Sequence, residues 1–251
     1  MKKTVEICCG SYYDAKQAAL GGAGRIELNS ALMLGGLTPT LATLKMVKEE
    51  LPLKVIAMVR PRGAGFCYSR EDFQVMKAEA RALLEHGADG IAFGCLKADA
   101  TLDEEQTRAM LEIIREMGKE AVFHRAFDCT PDPYVTMERL IALGVDRVLT
   151  SGLKPKAIDG WELLKELQHR YGSRIEILAG SGVNVSNART IMERTGVTQV
   201  HSSCKDWKTD PTTVGGQVSY SMASGELERC YDVVSAELVR KLLESIFTEE
   251  E

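Results

Sequence analysis

Residues 123 to 128 read Phe-His-Arg-Ala-Phe-Asp. An imidazole that can carry a proton near neutral pH, a guanidinium that can grip an anion and a carboxylate that can orient the imidazole lie within five residues: His124, Arg125 and Asp128. They close a segment, Ala121-Val-Phe, that otherwise has the makeup of a buried strand. Other apolar runs end in the same way. Val5-Glu-Ile-Cys-Cys and Ile26-Glu-Leu-Asn carry Glu6 and Glu27, Val59-Arg-Pro-Arg-Gly carries Arg60 and Arg62, and Val200-His-Ser-Ser carries His201 and Ser202. Together these groups suit acid/base chemistry on a small phosphorylated or carboxylated metabolite, as a lyase, isomerase or hydrolase. Arg60 and Arg62 clamp the anion with Arg125, His124 oriented by Asp128 is the acid/base, and Glu6 or Glu27 is a second proton carrier.

Chemistry of this kind needs elements that bring the strand ends together. Four segments share one pattern: Gly22-Ala-Gly-Arg-Ile-Glu-Leu, Gly87-Ala-Asp-Gly-Ile-Ala-Phe, Gly144-Val-Asp-Arg-Val-Leu-Thr and Gly196-Val-Thr-Gln-Val-His-Ser. Each follows an apolar-periodic helix and opens a β-rich run, so each leading glycine is expected as a left-handed helix stop. Four more apolar runs lie between them. Helices are expected over 13–21, 40–50, 71–86, 103–117, 132–143, 158–171, 186–195 and 235–247, with Asp103 to Glu105 and Ser186 as start signals. Eight strands alternating with eight helices in 251 residues give a (β/α)8 TIM barrel, and a doubly wound open sheet is the alternative. Residues 205 to 232 are left over as a long loop before the last helix.

Alternation along the first two strands places Val5, Ile7, Ile26 and Leu28 under the helices. It turns Glu6, Cys8, Glu27 and Asn29 into the barrel. Buried acids need partners, and Arg60 and Arg62 are the candidates; the bland alternative is a self-neutralising network of Glu6, Glu27, Arg60 and Arg125. After the seventh strand comes Gly180-Ser181-Gly182, either a tight turn or, with His201 and Ser202 of the eighth strand end, an anion site. Lys97 and Lys154 follow strands four and six and are expected as solvated, charged amines rather than Schiff-base lysines.

Composition excludes several classes. With 45% apolar and 27% charged residues, 7 prolines and no linker-like stretch, residues 1–251 are expected as one globular domain. A net charge of -5 offers no footprint for nucleic acid. No apolar run is long enough for a membrane span, Glu6 interrupts any signal-like N-terminus, and Glu249-Glu250-Glu251 is expected as a solvated end. Seven cysteines without an export signal point to reduced thiols in the cytoplasm. Six of them, Cys8, Cys9, Cys67, Cys95, Cys129 and Cys204, are expected on one face, where with His124 and His201 they could hold Cu(I); the alternative is that they are small buried hydrophobes. No motif for an organic cofactor is present.

Arg25-Ile-Glu-Leu, Gly35-Gly-Leu-Thr-Pro, Val59-Arg-Pro-Arg-Gly with Tyr68-Ser69, Phe123-His-Arg-Ala-Phe-Asp and Arg147-Val-Leu-Thr-Ser-Gly occur here in that order. They closely resemble the CutC family, known as copper homeostasis proteins, from Glu6 to about Ser203. The resemblance implies a (β/α)8 barrel, a cytoplasmic location, homo-oligomers and a Cu(I) site built from cysteines at the barrel mouth. Cys8 matches the family cysteine of the first strand, whereas Asn29 stands where the family's Arg-Ile-Glu-Leu motif continues into a cysteine. A Cu(I) site here would then need Cys8 together with Cys9 or Cys67. Glu6, Glu27, Arg60, Arg62, His124, Arg125 and Asp128 also match the family pattern and suit an organic anion better than copper.

Overall fold

The computed structural model describes residues 3–247, so the acidic end Glu249-Glu250-Glu251 lies outside the described residues. Eight parallel strands close into a barrel in sequence order. They are β1 (Thr4–Cys9), β2 (Arg25–Leu28), β3 (Lys54–Met58), β4 (Gly90–Phe93), β5 (Glu120–Phe123), β6 (Arg147–Thr150), β7 (Glu176–Gly180) and β8 (Gln199–Ser202). The helices between and after them are α1 (Tyr12–Leu20), α2 (Leu41–Glu50), α3 (Arg70–Glu85), α4 (Glu104–Glu116), α5 (Pro133–Leu143), α6 (Trp161–Tyr171), α7 (Ala188–Thr195) and α8 (Ala236–Phe247). The ring closes where β1 pairs with β8, Glu6 opposite His201. This is the (β/α)8 barrel, and the open-sheet alternative falls away.

Helix starts are set by side-chain caps. Asp103 accepts from the Gln106 amide and Ser69 forms a reciprocal capping box with Asp72, each cap contributing about 1 kcal/mol. The helix expected from 186 begins instead at Ala188, after Asn187, whose side chain accepts from the Asn184 amide in the preceding turn. The repeated glycines behave as expected: Gly22, Gly87, Gly144 and Gly196 have φ of 95°, 97°, 84° and 76°, a left-handed conformation that lets each chain leave its helix and enter the next strand.

Two apolar regions follow from strand alternation. Val5, Ile7, Ile26, Leu28, Phe93 and Phe123 belong to the large core between strands and helices. Ile56, Met58, Ala92 and Val122 form a separate plug inside the barrel on the β3 to β5 side. The rest of the lower lumen is charged. Arg25 meets Glu6 at 2.7 Å and the Gln199 side chain at 2.6 Å, Arg147 meets Glu176 at 2.7 Å and Glu120 at 3.3 Å, and Lys54 pairs with Glu120.

The segment expected as a loop from 205 to 232 contains an antiparallel ribbon, β9 (Lys205–Thr209) with β10 (Cys230–Val234). The ribbon is tied to α1, because the buried Asp14 carboxylate accepts from the Val234 amide at 2.8 Å. Lys205 and Asp232 of this ribbon line the barrel-mouth cavity and pair with each other at 2.9 Å.

Candidate functional site at the barrel mouth

The carboxyl ends of the strands enclose a cavity of about 720 Å³. Cys8, Glu27, Met58, His201 and Ser202 line it from the barrel strands, Asn29, Arg60 and His124 from just beyond strand ends, and Phe66, Arg125, Asp128, Lys154, Ser181 and Gly182 from the segments that follow.

One wall is a chain of coupled polar groups. Glu6 lies between Arg25 below and His201 above, its second oxygen accepting from His201 Nδ1 at 3.0 Å. Burial alone would push the Glu6 carboxyl up, but Arg25 and the His201 hydrogen bond hold it down to about 2. Burial works against a charged His201, yet hydrogen bonds to Cys8 and Glu6 and the Glu27 charge raise the imidazole well above its usual range. Glu27 is shifted upward by burial, partly offset by His201. One of its oxygens accepts from Asn29 Nδ2 at 2.9 Å and lies 3.9 Å from Cys8 Sγ; the other, Oε1, has no hydrogen-bond partner among the described residues. Burial also raises the Cys8 thiol.

The opposite wall holds His124. The Ala126 amide donates to its Nδ1 at 3.1 Å, so the proton of the neutral ring resides on Nε2, which lacks a partner among the described residues. Burial, reinforced by the Arg60 charge, pushes this imidazole down to about 3. His124 is therefore a neutral N-H donor. Phe66 covers it, with ring centroids 5.0 Å apart, and stacks its own ring under the Arg60 guanidinium at 5.1 Å.

Several sequence expectations need correction. Arg60 and Arg62 do not pair with Glu6 or Glu27. Arg60 donates to the carbonyls of Leu34, Gly36 and Ala64, because its strand ends where two loops meet; it still lines the cavity. Arg62 turns back to Asp72 at 2.9 Å and to the Gly63 and Cys67 carbonyls, away from the cavity wall. Asp128 does not orient His124. Its carboxylate accepts from Thr150 Oγ1 at 2.5 Å, from the Ser151 and Leu153 amides and from Arg125 Nε at 2.8 Å, so it binds the ends of β5 and β6 together and fixes Arg125. The thiols do not gather either. Cys9 has the parity of Ile7 and is buried in the outer core, Cys95 and Cys204 are also buried, and Cys67 is exposed on the third loop.

Cys8, Glu27 and His201 do come together, each with a ligand atom within 4.8 Å of the others. Gly180, Ser181 and Gly182 form a tight turn, with Ser181 and Gly182 at φ of 80° and 69° and Ser181 donating to the Pro155 carbonyl. Ser181, Gly182, His201 and Ser202 all line the cavity. Lys154, expected as a solvated amine, stands on this wall too, beside Arg125 whose Nη2 reaches toward the Lys154 carbonyl. Arg25, which the sequence reading missed as the partner of Glu6, was marked by parity: it lies two residues before Glu27, and Glu6 and Arg25 are register partners.

The fold defines a (β/α)8 barrel protein with a cavity at the carboxyl ends of its strands. The profile of the CutC family matches residues 3–206, and the chain belongs to that family. A CutC family protein from Treponema denticola is 44% identical over 243 residues, covering 96% of this chain and 98% of that protein. The human copper homeostasis protein cutC homolog is 40% identical over 201 residues, 80% of this chain and 73% of its own length. The crystal structure of the putative copper homeostasis protein CutC from Streptococcus agalactiae superposes with a TM-score of 0.76 at 30% identity, over 80% of this chain and 98% of that one. Phosphoribosyl anthranilate isomerase from Thermococcus kodakaraensis shares the fold, with a TM-score of 0.58 at 14% identity over 98% of this chain and 100% of that one.

Proposed function

We propose that this member of a copper homeostasis family takes up Cu(I) at the barrel mouth through Cys8 Sγ and His201 Nε2, with Glu27 beside them. The observation that carries this is the convergence of those three side chains within 4.8 Å. A thiolate and an imidazole are soft enough for Cu(I), and two donors satisfy its low coordination number. Glu6 fixes the His201 ring through Nδ1, leaving Nε2 as the ligating nitrogen. Both donors hold protons in the free protein, so uptake releases them and weakens as pH falls. Seven free thiols suit a reducing cytoplasm. In competition with a Cu(I) chelator the wild type should take the metal, and Cys8→Ser should lose at least about tenfold in affinity, since one of two ligands is gone. Binding no tighter than the chelator's, or an unchanged mutant, sinks the proposal.

A second reading, an enzyme acting on a small anionic metabolite, is favoured by the size and charge of the cavity. About 720 Å³ is far more than an ion needs, and Lys154 and Arg125 are among the residues that line it. Crystals grown in phosphate or citrate should then hold an anion between these side chains; a cavity containing only water would count against it.

A further inference from the structure

We propose that Cys8 is a nucleophile for acyl transfer, with Glu27 as the base that takes the thiol proton and His201 as the acid that protonates the leaving group. The inference rests on the second reading and gives it a reaction class and a substrate class: a small acyl compound with an anionic tail.

Three geometric facts support it. Cys8 Sγ lies 3.9 Å from Glu27 Oε2, within hydrogen-bond reach for sulfur, so a carboxylate stands where a nucleophilic thiol needs a base. His201 has a ring nitrogen within 4.8 Å of both Cys8 Sγ and Glu27, and its Nδ1 is held by Glu6 at 3.0 Å, so an oriented imidazole stands beside the nucleophile. Asn29 Nδ2 lies 3.6 Å from Cys8 Sγ and can donate to the thiolate as charge develops. A fourth fact sets this apart from an isolated thiol: Glu27 is 3% exposed and its Oε1, in the same cavity wall, has no partner among the described residues. Asn29, which weakens a cysteine-based metal site, is here the useful residue.

The cycle starts from a Cys8 thiol in contact with the Glu27 carboxylate and a protonated His201 held at Nδ1 by Glu6. In the first step the Cys8 S-H proton moves to Glu27, the S-C bond forms, the carbonyl carbon's bond to its leaving group breaks, and that group departs with the His201 proton. In the second, water attacks the thioester and gives a proton back to His201, while the released thiolate recovers its proton from Glu27. The net change is hydrolysis of the acyl bond. Lys154 and Arg125 supply the charge that holds the anionic end of the acyl group.

The test uses p-nitrophenyl succinate on the full, metal-stripped chain, with nitrophenolate release followed optically and each cysteine mapped by mass spectrometry after acid quench. Cys8 should acylate at least about 100-fold faster than the exposed Cys67, and Glu27→Gln should remove most of that advantage while the Cys67 rate stays put. The buried Cys95 reports folding in every variant, since it reacts only when the barrel opens. His201→Asn should slow Cys8 as well. Acylation of Cys8 no faster than Cys67, or an advantage that survives Glu27→Gln in a chain whose Cys95 stays protected, overturns the proposal. Because no metal is present, that failure leaves the Cu(I) titration untouched, and a failed titration leaves this result standing.

Discussion

The two cavity histidines are driven in opposite directions by their neighbours, and pH should separate them. His201 faces Glu6 and Glu27, gains negative partners on folding, and contributes stability that is fully present below its unfolded value and lost as pH rises through its raised folded value. His124 is buried beside Arg60 and held near 3. Between the ordinary 6.5 and about 3 the unfolded chain therefore binds more protons at this site than the folded one, so stability falls as pH drops through that window and is unaffected above it. From pH 6.5 to 4 the slope amounts to about 3 kcal/mol. His124→Asn should flatten it, seen as a smaller drop in thermal midpoint over that range than in wild type; equal drops would show that the imidazole is neither neutral nor secluded.

At the scale of elements, Asp128 and its partners set how the β5 and β6 ends meet. A carboxylate that accepts from two backbone amides, two hydroxyls and Arg125 has no room for a donor. In Asp128→Asn the new NH2 group would face N-H or O-H donors, leaving buried groups unpaired at a cost of about 2 to 3 kcal/mol. Urea unfolding should show that loss, and Arg125 should lose its fixed position at the mouth. A change below about 0.5 kcal/mol would mean the clamp is dispensable. His124, Arg125 and Asp128 were legible as a polar strand end. Their division of labour was not, because Asp128 takes its partners from Thr150, Ser151 and Leu153, more than twenty residues further along the chain.

Across the whole molecule, the barrel is filled by an apolar plug on one side and a charged floor on the other, and the floor makes the site possible by holding Glu6 ionised. Arg147 is 2% exposed between Glu176 and Glu120. Arg147→Met should cost about 1 to 3 kcal/mol, because it removes a buried guanidinium from Glu176 and Glu120 while both acids keep access to water. The analogous Arg174→Met, which breaks an exposed pair with Glu138, should cost under about 1 kcal/mol, and denaturant midpoints compare the two directly; similar losses would contradict a structural role for the floor. The sequence by itself determined the eightfold alternation, the left-handed glycines that end four of the helices and the inward parity of Glu6, Cys8, Glu27 and Asn29. Each of these follows from local backbone preference or from the two-residue period of a strand. Which of the inward groups touch was decided only by the tertiary structure. Ring closure brings Glu6 beside His201 across 195 residues, the register sets Glu6 opposite Arg25, and the loops draw Arg60 and Arg62 away. Partner choice depends on barrel register and loop path, which no local pattern encodes.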